Sequence, residues 1–254
     1  MESVNPSLRG KVALVTGGAG ALGTAICKAL AAQGANVIVG FRSATEPGAL
    51  VAQLSADHGQ RHRALRCDVV DAASLRELAA SIDGDFGRLD MLVNCAGITR
   101  YVPHTDLDAL DDTLIDAILT TNVRCAIACT RALRDLLARG SDGLIVNISS
   151  IAARTGVGSN IAYCASKAAL DNLTLSLARA LAPAIRVVSV APGLADTDFV
   201  KGMDPAWRHE QTARTPLGRL ASTAEIADAV TACALQLRFM TGAILPIDGG
   251  RTLL

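Results

Sequence analysis

Lys11-Val12-Ala13-Leu14-Val15-Thr16-Gly17-Gly18-Ala19-Gly20-Ala21-Leu22-Gly23 changes character halfway along. Val12 to Val15 is an unbroken apolar run, the pattern of a strand covered on both faces, as in a parallel sheet. Thr16 to Gly23 reads as a glycine-rich turn, and an alanine-rich helix follows to about Gln33, where Gly34 closes it. Glycine lacks a Cβ and accepts positive φ, so such a turn bends sharply and lets a ligand approach the backbone. The helix it opens presents unpaired N–H groups and the positive end of its dipole, which suit a pyrophosphate. A strand, this turn and a helix in succession favour nucleotide binding over a plain tight turn.

Outward from this stretch the alternation continues. Val37-Ile38-Val39-Gly40 is the second strand, and further strands are expected over 63–67, 89–94, 143–148, 185–190 and 243–247. Helical segments are expected over 46–57, 71–86, 106–138, 161–181 and 222–237, with a polar segment at 196–214. This pattern predicts one doubly wound Rossmann-type α/β domain over 11–254, with a seven-stranded parallel sheet flanked by helices, behind a tail at 1–10. Ligands of such sheets bind beyond the carboxyl ends of the strands. The polar clusters fall there: Thr16 to Gly23, Asp68, Asn94 to Gly97, Ser149-Ser150 and Pro192-Gly193.

Composition narrows the class. Half of the 254 residues are hydrophobic, enough for a substantial core, and 24 basic residues balance 24 acidic ones. No net field therefore favours nucleic acid, an acidic partner or an anionic membrane. Met1 to Pro6 shows no basic region followed by an apolar run, and no apolar stretch approaches the ~20 residues of a spanning helix. The seven cysteines are odd in number, scattered and without a Cys-x-x-Cys pair, so neither a disulfide framework nor a metal site is expected. A cytoplasmic protein is the expectation.

Ile161-Ala162-Tyr163-Cys164-Ala165-Ser166-Lys167 opens a helix and sets Tyr163 and Lys167 one turn apart on the same face. A nearby ammonium favours the phenolate and would make Tyr163, whose hydroxyl ordinarily titrates near about 10, a general acid or base at neutral pH. Cys164, its neighbour, points elsewhere around the helix and is expected to pack in the core. His58 and His62, four apart but straddling Gly59, read as a solvated loop rather than a metal pair. Glu225 is expected to stabilise the start of its helix.

With these residues the chain resembles the single-domain short-chain dehydrogenases/reductases, and the likeness runs from about Lys11 to Gly250. Their first turn, Thr-Gly-x-x-x-Gly-x-Gly, is met by Thr16, Gly17, Ala21, Leu22 and Gly23, with Ala21 at the middle glycine and Gly20 one place earlier. The resemblance implies a catalytic tetrad of Asn122, Ser150, Tyr163 and Lys167. Ser150 would bond the substrate oxygen, Tyr163 would exchange the proton, and Lys167 would lower the Tyr163 pKa and bind the nicotinamide ribose. Asn122 would hold a relay water. It further implies that Asp68 and Val69 meet the adenine, that Asn94, Ala96 and Gly97 form the turn after the fourth strand, and that Pro192, Gly193, Leu194 and Thr197 fix the nicotinamide amide.

Family members that use NAD carry an acid where this chain has Phe41, and Arg42 follows at once. A guanidinium there, with Ser43, suits a 2′-phosphate, so NADP is expected and NAD is the alternative. Residues 196–214, with Phe199, Met203 and Trp207, resemble a substrate lid, and Tyr101 stands on the opposite wall. Ile98-Thr99-Arg100 is similar to the 3-oxoacyl-carrier-protein reductases, but Tyr101-Val102 departs from their pattern. A small-molecule carbonyl or alcohol is therefore the expected substrate, a 3-oxoacyl thioester one subtype, and another ketone, sugar or alcohol the alternative. A catalytically silent cofactor sensor or scaffold is a different class of reading, disfavoured because Tyr163 and Lys167 are both present. The family also implies a homotetramer built on the two long helices and the last strand.

Overall fold

The computed structural model describes residues 7–43, 47–140 and 142–253, with only the backbone of Pro47, Asp198 and Phe199. Seven strands form one sheet: β1 (Val12–Thr16), β2 (Asn36–Phe41), β3 (Arg63–Arg66), β4 (Met91–Asn94), β5 (Gly143–Ile148), β6 (Ile185–Pro192) and β7 (Ile244–Ile247). Their order is β3-β2-β1-β4-β5-β6-β7, and every pairing is parallel. This is the seven-stranded α/β sheet that the alternation of apolar runs implied. The strand order reverses between β1 and β4, and a cleft opens there at the carboxyl ends.

Alternation along each strand feeds two apolar layers. Ala13 and Val15 pack with Ile26 and Leu30 of α1 (Ala21–Ala32) and with Ile226 and Val230 of α10 (Thr223–Leu235). Val12 and Leu14 face the other way, toward Leu75, Leu78 and Ile82 of α3 (Ala72–Phe86) and Leu133 and Leu137 of α5 (Cys125–Ala138). The long α7 (Ile161–Leu181), which follows the short α6 (Ala152–Thr155), also covers this second face. The Ser222–Glu225 capping box starts α10, and Arg219 pairs with Glu225 at 2.6 Å, so Glu225 secures the helix N-terminus as expected.

Four segments differ from expectation. The helix of 46–57 shortens to α2 (Pro47–Val51). His62, expected in solvent, is half-buried: Nδ1 accepts the Val37 N–H at 3.1 Å and Nε2 meets the Ser55 carbonyl at 2.8 Å, which pins the crossing beside β2. The segment 106–138 is not one helix. It begins only at α4 (Asp112–Leu119), after the Asp111 cap, and passes through a π-helical turn at Thr120–Arg124 before α5. The polar 196–214 segment folds as α8 (Asp198–Lys201) and α9 (Pro205–Ala213), the latter started by Asp204 and Pro205.

A row of polar residues crosses the second face at the carboxyl end of the sheet. Thr16, Asn94, Asn147 and Ser189 are register partners on successive strands, and all four are buried. Asn94 donates to Asn147 at 2.9 Å, Asn147 donates to Thr174 of α7 at 2.9 Å, and Ser189 donates to Asp171 of α7 at 3.1 Å. An Asn147→Leu variant would strand the amide of Asn94 without its acceptor. It should lower stability by about 1–3 kcal/mol, seen as a melting midpoint several degrees lower. An unchanged midpoint would show that the row contributes nothing.

Candidate active site

The glycine turn is fixed by the chain's own crowding. Gly17 has φ +65°, and a Cβ there would lie 3.0 Å from the Ala96 Cα; one on Gly23 would lie 2.2 Å from the Gly17 carbonyl oxygen. Gly20 is not constrained in this way, and neither is Ala21, which is exposed. Gly20 caps α1 without a side-chain bond, and no acid stands in the first turn, so the positive end of α1 faces the cleft uncompensated. These residues, with the partly buried Leu22, fit a pyrophosphate. Thr16 differs from expectation. Its hydroxyl accepts the N–H groups of Cys95 and Ala96, both at 3.1 Å, and donates to Val93, so it braces the turn from behind.

Phe41 ends β2, and Arg42 and Ser43 beyond it are exposed. Asp68 follows β3 and accepts the Val70 N–H on one oxygen, while Val69 is buried beside it. Asn94 belongs to the buried polar row, while Ala96 beyond it is half-buried and Gly97 exposed. Pro192 ends β6, and its carbonyl accepts the Ile151 N–H at 3.0 Å, which joins the Gly193, Leu194 and Thr197 segment to the loop after β5.

The four expected catalytic side chains converge beyond β4 and β5. The serine pair is resolved as alternation requires: Ser149 turns inward and donates to the Lys167 carbonyl at 3.3 Å, while Ser150 accepts the Ala152 N–H at 3.2 Å and stands near enough to Tyr163 to pull its pKa down. Burial raises the Tyr163 pKa, and the nearby Ser150 hydroxyl opposes that rise. Lys167 is buried, donates to the Ile148 carbonyl at 2.8 Å and lies 5.6 Å from the centre of the Tyr163 ring. Its ammonium is thus aimed at a carbonyl instead of the phenol, and the expected lowering of the Tyr163 pKa by Lys167 is not what this geometry produces. Tyr163 is a neutral phenol, suited to donate a proton. Burial lowers Lys167 itself to about 8.

Asn122 is buried in the π-helical turn. Its Oδ1 accepts the Ile98 N–H at 2.9 Å, and its Nδ2 donates to the Ile98 carbonyl and to Ser166 Oγ, both at 3.1 Å. Both amide protons are committed to protein partners, so the side chain braces the site, and the relay water implied by the resemblance would donate to an oxygen of Asn122. Four supporting residues escaped the sequence reading: Ser166, Asn147, Asp171 and Asn160. Only Asn160 left a signal, an Asn just ahead of a helix start, which marks a cap.

On the substrate side, Tyr101 is 69% exposed on the loop after β4, and Met203 and Trp207 are half-buried. The Phe199 side chain lies outside the described residues. The inner face of α9 is held by Arg208 on Asp196 at 3.0 Å and by Arg251, which donates to the Gln211 carbonyl at 2.9 Å. Among the described residues no cluster of His, Cys, Asp or Glu could hold a metal, and no helix is long and apolar enough to cross a membrane.

A doubly wound sheet with Ser, Tyr and Lys converging beside a glycine-rich helix start defines an oxidoreductase acting on CH–OH and C=O groups. The chain belongs to the short-chain dehydrogenase/reductase family, whose members bind NAD(P). A family model described as enoyl-(acyl carrier protein) reductase matches residues 17–252. The cis-4-hydroxycyclohexanecarboxylate dehydrogenase of Sinomonas cyclohexanicum is 40% identical over 245 residues, 95% of this chain and 96% of that protein. The 3-oxoacyl-(acyl-carrier-protein) reductase FabG of Escherichia coli (strain K12) is 35% identical over 247 residues, 96% of this chain and 98% of that one. A solved gluconate 5-dehydrogenase from Burkholderia cenocepacia J2315, in complex with NADP and tartrate, superposes with a TM-score of 0.87 at 27% identity, covering 98% of this chain and 97% of that one.

The buried lysine makes stability depend on pH in a defined sense. Its folded pKa, about 8, lies below the ordinary value of 10.5, so the unfolded chain binds more protons between these values. Relative to a Lys167→Met variant, the natural protein should therefore gain stability as pH rises through this window, by on the order of 3 kcal/mol. Urea unfolding of both proteins from pH 7 to 10.5 would measure it; a flat difference would show that Lys167 is not desolvated.

Proposed function

We propose that residues 11–254 form one NADP(H)-dependent dehydrogenase/reductase domain that interconverts a ketone and a secondary alcohol. The observation that carries this reading is the placement of the buried Lys167 ammonium 5.6 Å from the centre of the Tyr163 ring, with Ser150 close enough to Tyr163 to lower its pKa. NADPH supplies the hydride when bound. Ser150 donates a hydrogen bond to the substrate oxygen, and Tyr163 delivers the proton as negative charge develops there. Lys167 brings a positive charge to the ribose side of the site, and Asn122 keeps the Ile98 backbone and α7 in register. Thr197, with the backbone around Leu194, orients the nicotinamide amide, while Asp68 and Val69 receive the adenine.

The preference for NADP rests on Arg42 and Ser43, which stand exposed past β2 where no carboxylate would repel a 2′-phosphate. The NADP complex of the gluconate 5-dehydrogenase is consistent with it. The substrate is a small, partly apolar carbonyl or alcohol held between Tyr101 and a lid of 196–214 carrying Phe199, Met203 and Trp207. A 3-oxoacyl thioester is one subtype, supported by the FabG relative; the 40% identical relative supports a cyclic hydroxy acid instead. A cytoplasmic homotetramer completes the proposal, consistent with the exposed Ile161 and Leu175 on α7 and Ile127 on α5.

The test is turnover of NADPH with an acetoacetyl thioester, 4-oxocyclohexanecarboxylate and open-chain ketones, followed by absorbance. Consumption with at least one supports the reading; cofactor binding without consumption on any would favour a silent sensor. Tyr163→Phe should keep NADPH affinity and lose nearly all turnover, and retained turnover would remove Tyr163 as proton donor. Arg42→Glu should weaken NADPH roughly tenfold or more while sparing NADH. A natural protein that prefers NADH would overturn the assignment of Arg42.

A further inference from the structure

Asn160 is the cap of α7 and is fully buried. Its Oδ1 accepts the Tyr163 N–H at 2.7 Å. Its Nδ2 donates at 2.7 Å to the carbonyl of Arg100, on the loop after β4, and at 3.3 Å to Thr99 Oγ1. The neighbouring backbone repeats the tie, since Val102 donates to the Ser159 carbonyl at 2.8 Å, and the Thr99 and Ser159 hydroxyls meet at 2.5 Å. Asn122 makes a parallel set of contacts. It holds Ile98 by both backbone groups and reaches Ser166, whose hydroxyl donates to the Tyr163 carbonyl at 2.7 Å.

Two buried asparagines therefore grip the same two segments. On one side they hold residues 98 and 100, which lead straight into the wall at Tyr101 and Val102. On the other they hold the N–H and the carbonyl of Tyr163. A wall on an ordinary surface loop would drift relative to the proton donor; this one is bonded to the donor's own main chain.

We infer that Asn160 is a positioning residue that sets the distance between the substrate wall and the Tyr163 hydroxyl, and so selects among carbonyl substrates by size. This rests on the proposed ketone reduction. Asn160 touches neither substrate nor cofactor. It acts through Arg100 on one side and Tyr163 on the other.

Asn160→Ser separates the two functions, because a serine hydroxyl still caps a helix but offers no amide to the Arg100 carbonyl. The expected result is unchanged NADPH affinity, with kcat/KM for 4-oxocyclohexanecarboxylate falling roughly ten- to hundredfold through KM and a smaller fall for acetone. Amide hydrogen exchange of residues 99–102 should accelerate while that of the glycine turn at 17–23 does not. Asn160→Asp, which keeps the cap and faces the Arg100 carbonyl with another acceptor, should behave like Asn160→Ser. Equal losses on both ketones together with weaker NADPH binding would overturn the inference in favour of a general loss of structure. Faster exchange with an unchanged ratio of the two ketones would overturn the link to selectivity, and unchanged exchange would overturn the clamp. If the unsubstituted protein turns over no ketone, the proposed reaction falls, and the exchange measurement still decides the clamp.

Discussion

A buried amide must find its hydrogen bonds inside the protein, and that requirement organises this molecule. Thr16, Asn94, Asn147 and Ser189 lie side by side where the sheet meets α7. Leaving any of them unpaired there would cost about 1–3 kcal/mol. Their partners are Thr174 and Asp171 on α7 and the turn after β4, so the helix that carries Tyr163 and Lys167 docks in one rotation and at one height. An apolar layer alone would tolerate sliding, since apolar contacts are not directional. Directional bonds at the carboxyl end of the sheet do not.

The same economy of polar groups governs the site. Asn122 and Asn160 leave none of their amide protons to solvent, and Ser149 and Ser166 turn inward to backbone carbonyls. Ser150 and Tyr163 are the pair that this frame leaves facing the cleft. Lys167 stays charged at neutral pH, although burial has brought it close to titration. Asp171, one turn further along α7, favours that charge. Placement and charge are what the protein supplies to a hydride transfer whose reactive carbon belongs to the cofactor.

The fold was legible because parallel strands buried on both faces leave continuous apolar runs, and because each run ends in a turn with its own polar residues. The positions of Tyr163, Lys167, Ser150 and Asn122 were legible through their spacing. Their interactions were not. Thr16 and Asn94 read as residues that touch a cofactor, and the fold commits Thr16 to the turn after β4 and Asn94 to Asn147, because a strand-end polar side chain points inward or outward according to a register that only pairing sets. The π-helical turn at Asn122 was missed for a similar reason: it inserts one residue into a helix and leaves the local composition unchanged.

Sequence by itself determined the apolar runs of the central strands, the glycine that local crowding demands at 23, and the chemical types gathered at the strand ends. These follow from local chemistry, in which period, side-chain volume and permitted φ are properties of neighbouring residues. Tertiary structure alone decided that Lys167 aims at the Ile148 carbonyl instead of the phenol, and that Asn160 and Asn122 bind the substrate wall to Tyr163. Apart from the cap of Asn160 on Tyr163, three positions on, those contacts join residues that lie 19 to 61 positions apart in the chain. Nothing in a window of sequence can orient a side chain toward a partner that the fold has not yet delivered.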